Sequence, residues 1–293
     1  MEIDFSPLRS LTALKTLDID LTIVADAGFW VAIKNKSSIT RLICYFVRGM
    51  DAVMRDSIAS LKELRALDFP DVVMHGRNEQ SVSLAPQVTQ LTALSISVKG
   101  SLASDIGCST NLVRLELQVY PEFDCSLDDT VALMPHLQRL AVKRRGEFFC
   151  VDLVGDQLHK RLSISSNALL ELKQLRSLSL ESVAVNRFFF QELASVVKLT
   201  KLEFKSTEHE TCVQSIVSQI HQLEHLEELE LHLADQSCVC DWLSAQYLPR
   251  LSKLSVPSLT EEEEETRRTR FASRPQVLIN STKKSRWYSR SAT

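Results

Sequence analysis

The sequence predicts an α/β solenoid: about ten strand–helix repeats stacked into a curved horseshoe, with a parallel β-sheet on the concave face and helices outside. Three observations predict it. An apolar motif recurs along most of the chain, the spacing between copies is nearly constant, and each copy pairs a period-two segment with a stretch of helical periodicity.

The motif is set by Leu11-x-x-Leu14-x-x-Leu17-x-Ile19. It returns at Leu61-Leu64-Leu67-Phe69, Val88-Leu91-Leu94-Ile96, Leu112-Leu115-Leu117, Met134-Leu137-Leu140-Val142 and Leu172-Leu175-Leu178-Leu180. Further copies are Val196-Leu199-Leu202-Phe204, Leu223-Leu226-Leu229-Leu231 and Leu248-Leu251-Leu254-Val256, with a weaker one at Ile39-Leu42-Cys44. Val277-Leu278-Ile279 is a candidate terminal strand. Taking the first residue of each final apolar pair as a marker gives positions 17, 42, 67, 94, 115, 140, 178, 202, 229 and 254. Seven of the nine intervals lie between 24 and 27 residues; the others are 21 and 38.

Each part of the motif has a structural meaning. The final pair alternates with period two, so both residues face one side of a strand. The preceding apolar residues, three apart, form the turn that feeds it. The segments between copies carry helices: Arg48–Leu64 places Met50, Val53, Met54, Ile58, Leu61 and Leu64 at spacings of three and four, and Cys212–Leu226 does so with Val213, Ile216, Val217, Ile220 and Leu223. One unit cannot bury its own apolar side, whereas a stack buries a continuous core between strands and helices. The 38-residue interval holds an insertion near 147–162, and Arg161-Leu-Ser-Ile-Ser is a candidate extra strand.

These residues resemble the leucine-rich-repeat superfamily over about 250 positions. An interval near 25 with long helical segments is similar to the repeats of F-box-type and other intracellular proteins, and Leu102–Leu112 to a unit of plant intracellular receptors. The resemblance implies a protein-binding solenoid. One departure is clear. The family's Asn or Cys three residues after the last strand Leu is replaced by Thr22, Val47, Val72, Lys99, Tyr120, Arg145, Val183, Thr207, Ala234 and Leu259. Backbone groups satisfied by that ladder need other partners, such as helix starts. No F-box precedes the first repeat, so a ligase module would have to be missing from this chain.

Composition fits that reading. The chain has 293 residues, 44% hydrophobic and 24% charged, enough for a sizeable core. Seven cysteines at irregular spacing read as reduced core thiols of a cytoplasmic or nuclear protein. The N-terminus lacks the pattern of a secretory signal, and no run of 18 apolar residues suggests a membrane span. The whole chain is −3 and residues 266–293 carry eight basic and no acidic residues, so residues 1–265 carry −11. The domain division expected is a solenoid over 1–260, then an acidic run and basic tail over 261–293.

Outward side chains of the strands are the candidate partner-binding residues: Arg114, Glu116 and Gln118, then Arg139 and Lys143, then Glu181, Lys201, Glu203, Lys205, Glu228, Glu230 and His232. Mixed charge in a parallel array suits a protein surface, and a solvated sheet face is the plain alternative. Arg114, Glu116, Arg139 and Lys143 lie beside the short 21-residue unit, and Lys143 continues into Arg144-Arg145 to give a basic edge. His221 and His225 have helical metal spacing but no matching third ligand, and Cys238-Val-Cys240 reads as core thiols. Phe188-Phe189-Phe190 must be partly core, with one ring available as an exposed anchor. Glu261–Glu265 and the Lys/Arg-rich tail beside Trp287-Tyr288 read as solvated segments; the −11 body argues against nucleic acid as the tail's ligand. Phosphate-loop, dinucleotide, nucleophile-elbow and zincin motifs are absent from the sequence. The expectation is a non-catalytic module without cofactor or metal that recognises another protein through the concave face; the alternative is the substrate-recognition subunit of an SCF-type ubiquitin ligase, reaching its adaptor through the missing module.

Overall fold

The structure is a computed structural model that describes residues 4–20, 27–34, 36–45, 52–69, 89–98, 106, 109–119, 127–144, 164–183, 185, 189–205, 219–220, 222–232, 248–257, 269 and 278–282. Among them run eleven strands: β1 Thr16–Asp20, β2 Arg41–Tyr45, β3 Ala66–Phe69, β4 Ala93–Val98, β5 Arg114–Val119, β6 Arg139–Arg144, β7 Ser177–Glu181, β8 Lys201–Lys205, β9 Glu228–His232, β10 Lys253–Pro257 and β11 Leu278–Thr282. They form one sheet in strict sequence order, and every neighbouring pair is parallel. The candidate terminal strand at Val277–Ile279 is β11, beginning one residue later.

Register follows the sequence repeat. Leu17, Leu42, Leu67, Leu94, Leu115, Leu140, Leu178, Leu202, Leu229, Leu254 and Ile279 are successive Cα partners. From Leu42 to Leu254 these leucines are buried, and so are Leu61, Leu64, Leu91, Leu112, Leu137, Leu175, Leu226 and Leu251 of the turns. They join one continuous core. The first unit is looser: Leu14, Leu17 and Ile19 only pack partly buried against that core.

Six short helices are described on the core side: α1 Ser6–Ser10, α2 Ala27–Ile33, α3 Ala52–Ser60, α4 Asp128–Ala132, α5 Ser166–Leu170 and α6 Phe189–Leu193. α1 packs on α2 and α2 on α3, and likewise α4 on α5 and α5 on α6. α3 buries Met54 and Ile58, and α6 buries Phe189, Phe190 and Leu193, whereas α1 buries no residue fully. Strands stack about 4.8 Å apart, whereas packed helices need roughly 8–10 Å. The stack therefore bends toward its strands, which puts the sheet on the inner, concave side of a leucine-rich-repeat horseshoe.

Three expectations change. The helix expected from Arg48 to Leu64 spans only Ala52–Ser60 among the described residues, because the N–H groups of Leu61 and Leu64 close four-residue turns onto the carbonyls of Ile58 and Leu61. Val53, expected in its apolar stripe, is exposed. The extra strand at Arg161–Ser165 is not formed at its described end: Ser165 is the N-cap of α5, its Oγ accepting from the Ala168 N–H at 3.3 Å while its own N–H donates to Asp128 Oδ1 at 2.8 Å. β6 accordingly pairs directly with β7. Of the helix expected over Cys212–Leu226, Ile220 and Leu223 are buried and Val213, Ile216 and Val217 lie outside the described residues, as does the insertion at 147–162.

Candidate binding surface

The side chains that alternate away from the core stand in three rows across the sheet. One row begins the strands, with Arg41, Ala66, Ala93, Arg114, Arg139, Ser177, Lys201, Glu228 and Lys253 in register. A second carries Asp68, Ser95, Glu116, Ala141, Ser179, Glu203 and Glu230. A third carries Ser97, Gln118, Lys143, Glu181, Lys205 and His232. All twelve expected partner-binding residues (Arg114, Glu116, Gln118, Arg139, Lys143, Glu181, Lys201, Glu203, Lys205, Glu228, Glu230 and His232) thus share one face. Ile43, Ser97 and Ser255, which stand in register with these rows, are buried.

The charges on this face largely satisfy one another. Lys143 Nζ lies 3.0 Å from Glu181 on the next strand. Glu228 takes Lys201 at 2.9 Å and Lys253 at 3.7 Å from its two sides. Lys205 bridges Glu203 at 2.5 Å and Glu230 at 3.2 Å, and His232 Nε2 meets the same Glu230 oxygen at 3.0 Å. Burial works against the Lys205 charge, but the hydrogen bonds and charges of Glu203 and Glu230 outweigh it and hold its pKa above the usual lysine value. Glu203 is pushed up by burial yet ends below its usual value, through hydrogen bonds from Lys205 and Ser179 and the nearby Lys201. Glu228 is held low chiefly by its hydrogen bond to Lys201. His232 is held below 6.5, first by burial and then by Lys205, against Glu230. The basic edge expected at Lys143 is thereby tied into the Glu181 pair, and Arg145 lies outside the described residues.

At β5 and β6 the pattern differs. Arg114 contacts Glu116 of its own strand at 3.1 Å through one guanidinium nitrogen. Arg139, its register partner, is exposed and meets no carboxylate among the described residues. Two strands away, Asp68 has one buried carboxylate oxygen with no hydrogen-bond partner. Burial raises its pKa, and Glu116 adds to this against Ser95, Arg41 and Arg114.

Along the edge where the strands begin lies an open trough of about 670 Å³. Arg65, Thr92, Val113 and Gln138, each immediately preceding a strand, line it together with Asn111 and His136, and no carboxylate does so. Behind it runs a hydrogen-bond ladder that the motif reading missed. The carbonyls of Lys15, Thr40, Arg65, Thr92, Val113, Gln138, Arg176, Thr200 and Glu227 each accept two backbone N–H groups from the next unit, at 2.8–3.1 Å. Hydroxyls of Thr40, Thr92, Thr200 and Ser252 add a third donor at 3.1–3.4 Å. Side chains before the turn leucines reinforce it, with Asn111 Nδ2 donating to the Thr89 carbonyl at 2.9 Å and Lys198 to Gln174 at 2.7 Å. Only the hydroxyl contacts have a sequence signal: a Ser or Thr stands two residues before the strand Leu in four of the ten units, whereas the two-amide contacts form whatever the side chain. Of the ten positions where the family's Asn or Cys is missing, only Val183 is described. It is buried after Ser182 turns at φ 56°, the Ser182 N–H donating to the Lys205 carbonyl at 2.7 Å.

The remaining candidates fall partly outside the described residues. No group of three potential metal ligands occurs among the described residues; His221 and the pair Cys238 and Cys240 lie outside them. Phe189 and Phe190 are both core, edge to face at 5.3 Å, while Phe188 lies outside the described residues. Cys44 is a buried thiol whose pKa burial pushes far up, with Asp18 and Asp68 adding to the effect. No described helix is long and apolar enough to cross a membrane.

Register, parallel order and the shared core define the chain's fold as a leucine-rich-repeat solenoid. No family model and no curated protein matches it. Among solved structures the chain is similar to an internalin (inlF) from Listeria monocytogenes, at 18% identity and TM-score 0.46, covering 80% of this chain and 65% of that one. It is also similar to internalin C2 of the same organism, at 16% identity and TM-score 0.40, covering 86% of this chain and 84% of that one. The chain thus spans less than two thirds of the length of the first.

Proposed function

We propose that the chain is a non-catalytic interaction module that recognises another protein through the concave sheet face. The observation that carries this reading is the register itself. It aligns outward polar side chains from successive strands into continuous rows, about 4.8 Å apart per step, on one side of a core that the helices occupy from the other. A row of fixed donors and acceptors on rigid strands loses little entropy on binding, which favours recognition of an extended partner surface. Nothing among the described residues favours the ligase-subunit alternative.

The test is to capture partners from lysate with the wild type and with Arg114→Glu/Arg139→Glu/Lys143→Glu. A folded variant that loses the partners supports the reading. A folded variant that retains the same partners at the same salt dependence moves binding away from this face.

A further inference from the structure

Charge on the concave face is unevenly satisfied, and the imbalance has a position. From β7 to β10 the face lysines Lys201, Lys205 and Lys253 each contact a carboxylate, and Lys143 of β6 reaches Glu181 of β7. Arg114 and Arg139 instead stand directly opposite each other on β5 and β6. Like charges in that relation repel and weaken the free sheet. Only one nitrogen of Arg114 is used by Glu116, and Arg139 meets no carboxylate among the described residues. Val113 and Gln138, the residues just before them, line the open trough, whose wall also carries Arg65, Asn111 and His136 and no carboxylate. Guanidinium groups left with free nitrogens are suited to bidentate carboxylate binding.

We infer that the β5–β6 end of the concave face, with the adjoining trough, binds an acidic, Asp/Glu-rich segment of a protein partner through Arg114 and Arg139. This rests on the concave-face reading above and names the partner's chemistry. A short acidic segment is favoured over nucleic acid because residues 1–265 carry −11 and Glu116 and Asp68 flank the arginines. A long polyanion meets that field along more of its length than a few carboxylates held on two arginines do.

The experiment uses the full chain and a fluorescein-labelled deca-glutamate peptide, read by anisotropy in 50 and 150 mM salt. Deca-lysine and a single-stranded oligouridine are run beside it. Because the tail is basic, two charge-matched variants are compared: Arg114→Gln/Arg139→Gln on the sheet and Lys283→Gln/Lys284→Gln in the tail. The expected result is at least a tenfold weaker deca-glutamate affinity in the sheet variant, less than twofold in the tail variant, and weaker oligouridine than deca-glutamate binding by the wild type. The sheet variant should also melt no lower than wild type, since it removes a repulsion. An equal or larger loss in the tail variant, tighter oligouridine binding, or no deca-glutamate binding overturns the inference. If deca-glutamate fails while captured partners still depend on the concave face, only the acidic partner is wrong; if captured partners ignore the face, the function reading itself falls.

Discussion

His232 shows how one side chain can report on its surroundings. Burial and Lys205 hold its pKa below 6.5, so the fold favours the neutral ring. A group with a depressed folded pKa contributes stability that is present above its unfolded value and lost as pH falls through the folded one. Denaturation midpoints should therefore drop as pH falls below 6.5, and His232→Gln should flatten that part of the curve; an unchanged slope would remove His232 from the account. Ser182 gives a second prediction at this scale. Its φ of 56° lies in the left-handed region, where a Cβ costs about 1–2 kcal/mol. Ser182→Gly should raise stability by roughly 1 kcal/mol, less the extra chain entropy glycine brings to the unfolded state, measurable as a higher urea midpoint. Individual pairings such as Lys143–Glu181 are partly legible in the sequence, because the marker leucines place those two residues in register. That Arg114 turns to Glu116 and Arg139 to no described carboxylate depends on side-chain rotamers, which residue spacing does not specify.

Among the elements, strands were far more legible than helices. A Leu-x-Leu pair has a period that only a strand satisfies on one face, so marker spacing alone predicts the register from Leu17 to Leu254. The helices were overextended because turn leucines three apart continue the helical apolar spacing; Leu61 and Leu64 bury like helix residues while the backbone around them turns. Ser165 misled for a related reason: its backbone is extended, at φ −85° and ψ 151°, but serves as a helix cap. Strand burial yields a graded prediction. Leu178 in β7 is fully buried, whereas its register equivalent Leu17 in β1 is only partly so. Leu178→Ala should cost about 2–5 kcal/mol, and Leu17→Ala less than half of that. Equal losses in chemical denaturation would show that the first unit is packed as tightly as the central ones.

At the scale of the whole molecule, stability is a sum of unit and interface contributions, each unit touching only its neighbours. The carbonyl ladder fixes those interfaces at the edge where strands begin, one carbonyl to two amides at every described step from Lys15 to Glu227. It holds across unequal units: Leu94 pairs with Leu115 after 21 residues and Leu140 with Leu178 after 38, in unbroken register. A flexible glycine–serine insert of about ten residues within 147–162 should therefore cost only on the order of 1 kcal/mol in loop entropy and leave the melting transition cooperative. A split transition would mean that the length of this segment helps set the register. Seen through the ladder, the molecule counts strands and not residues. Chain of variable length can accumulate between two rungs while the inner face keeps its pattern, so the face proposed to recognise a partner and the connecting segments are mechanically separate.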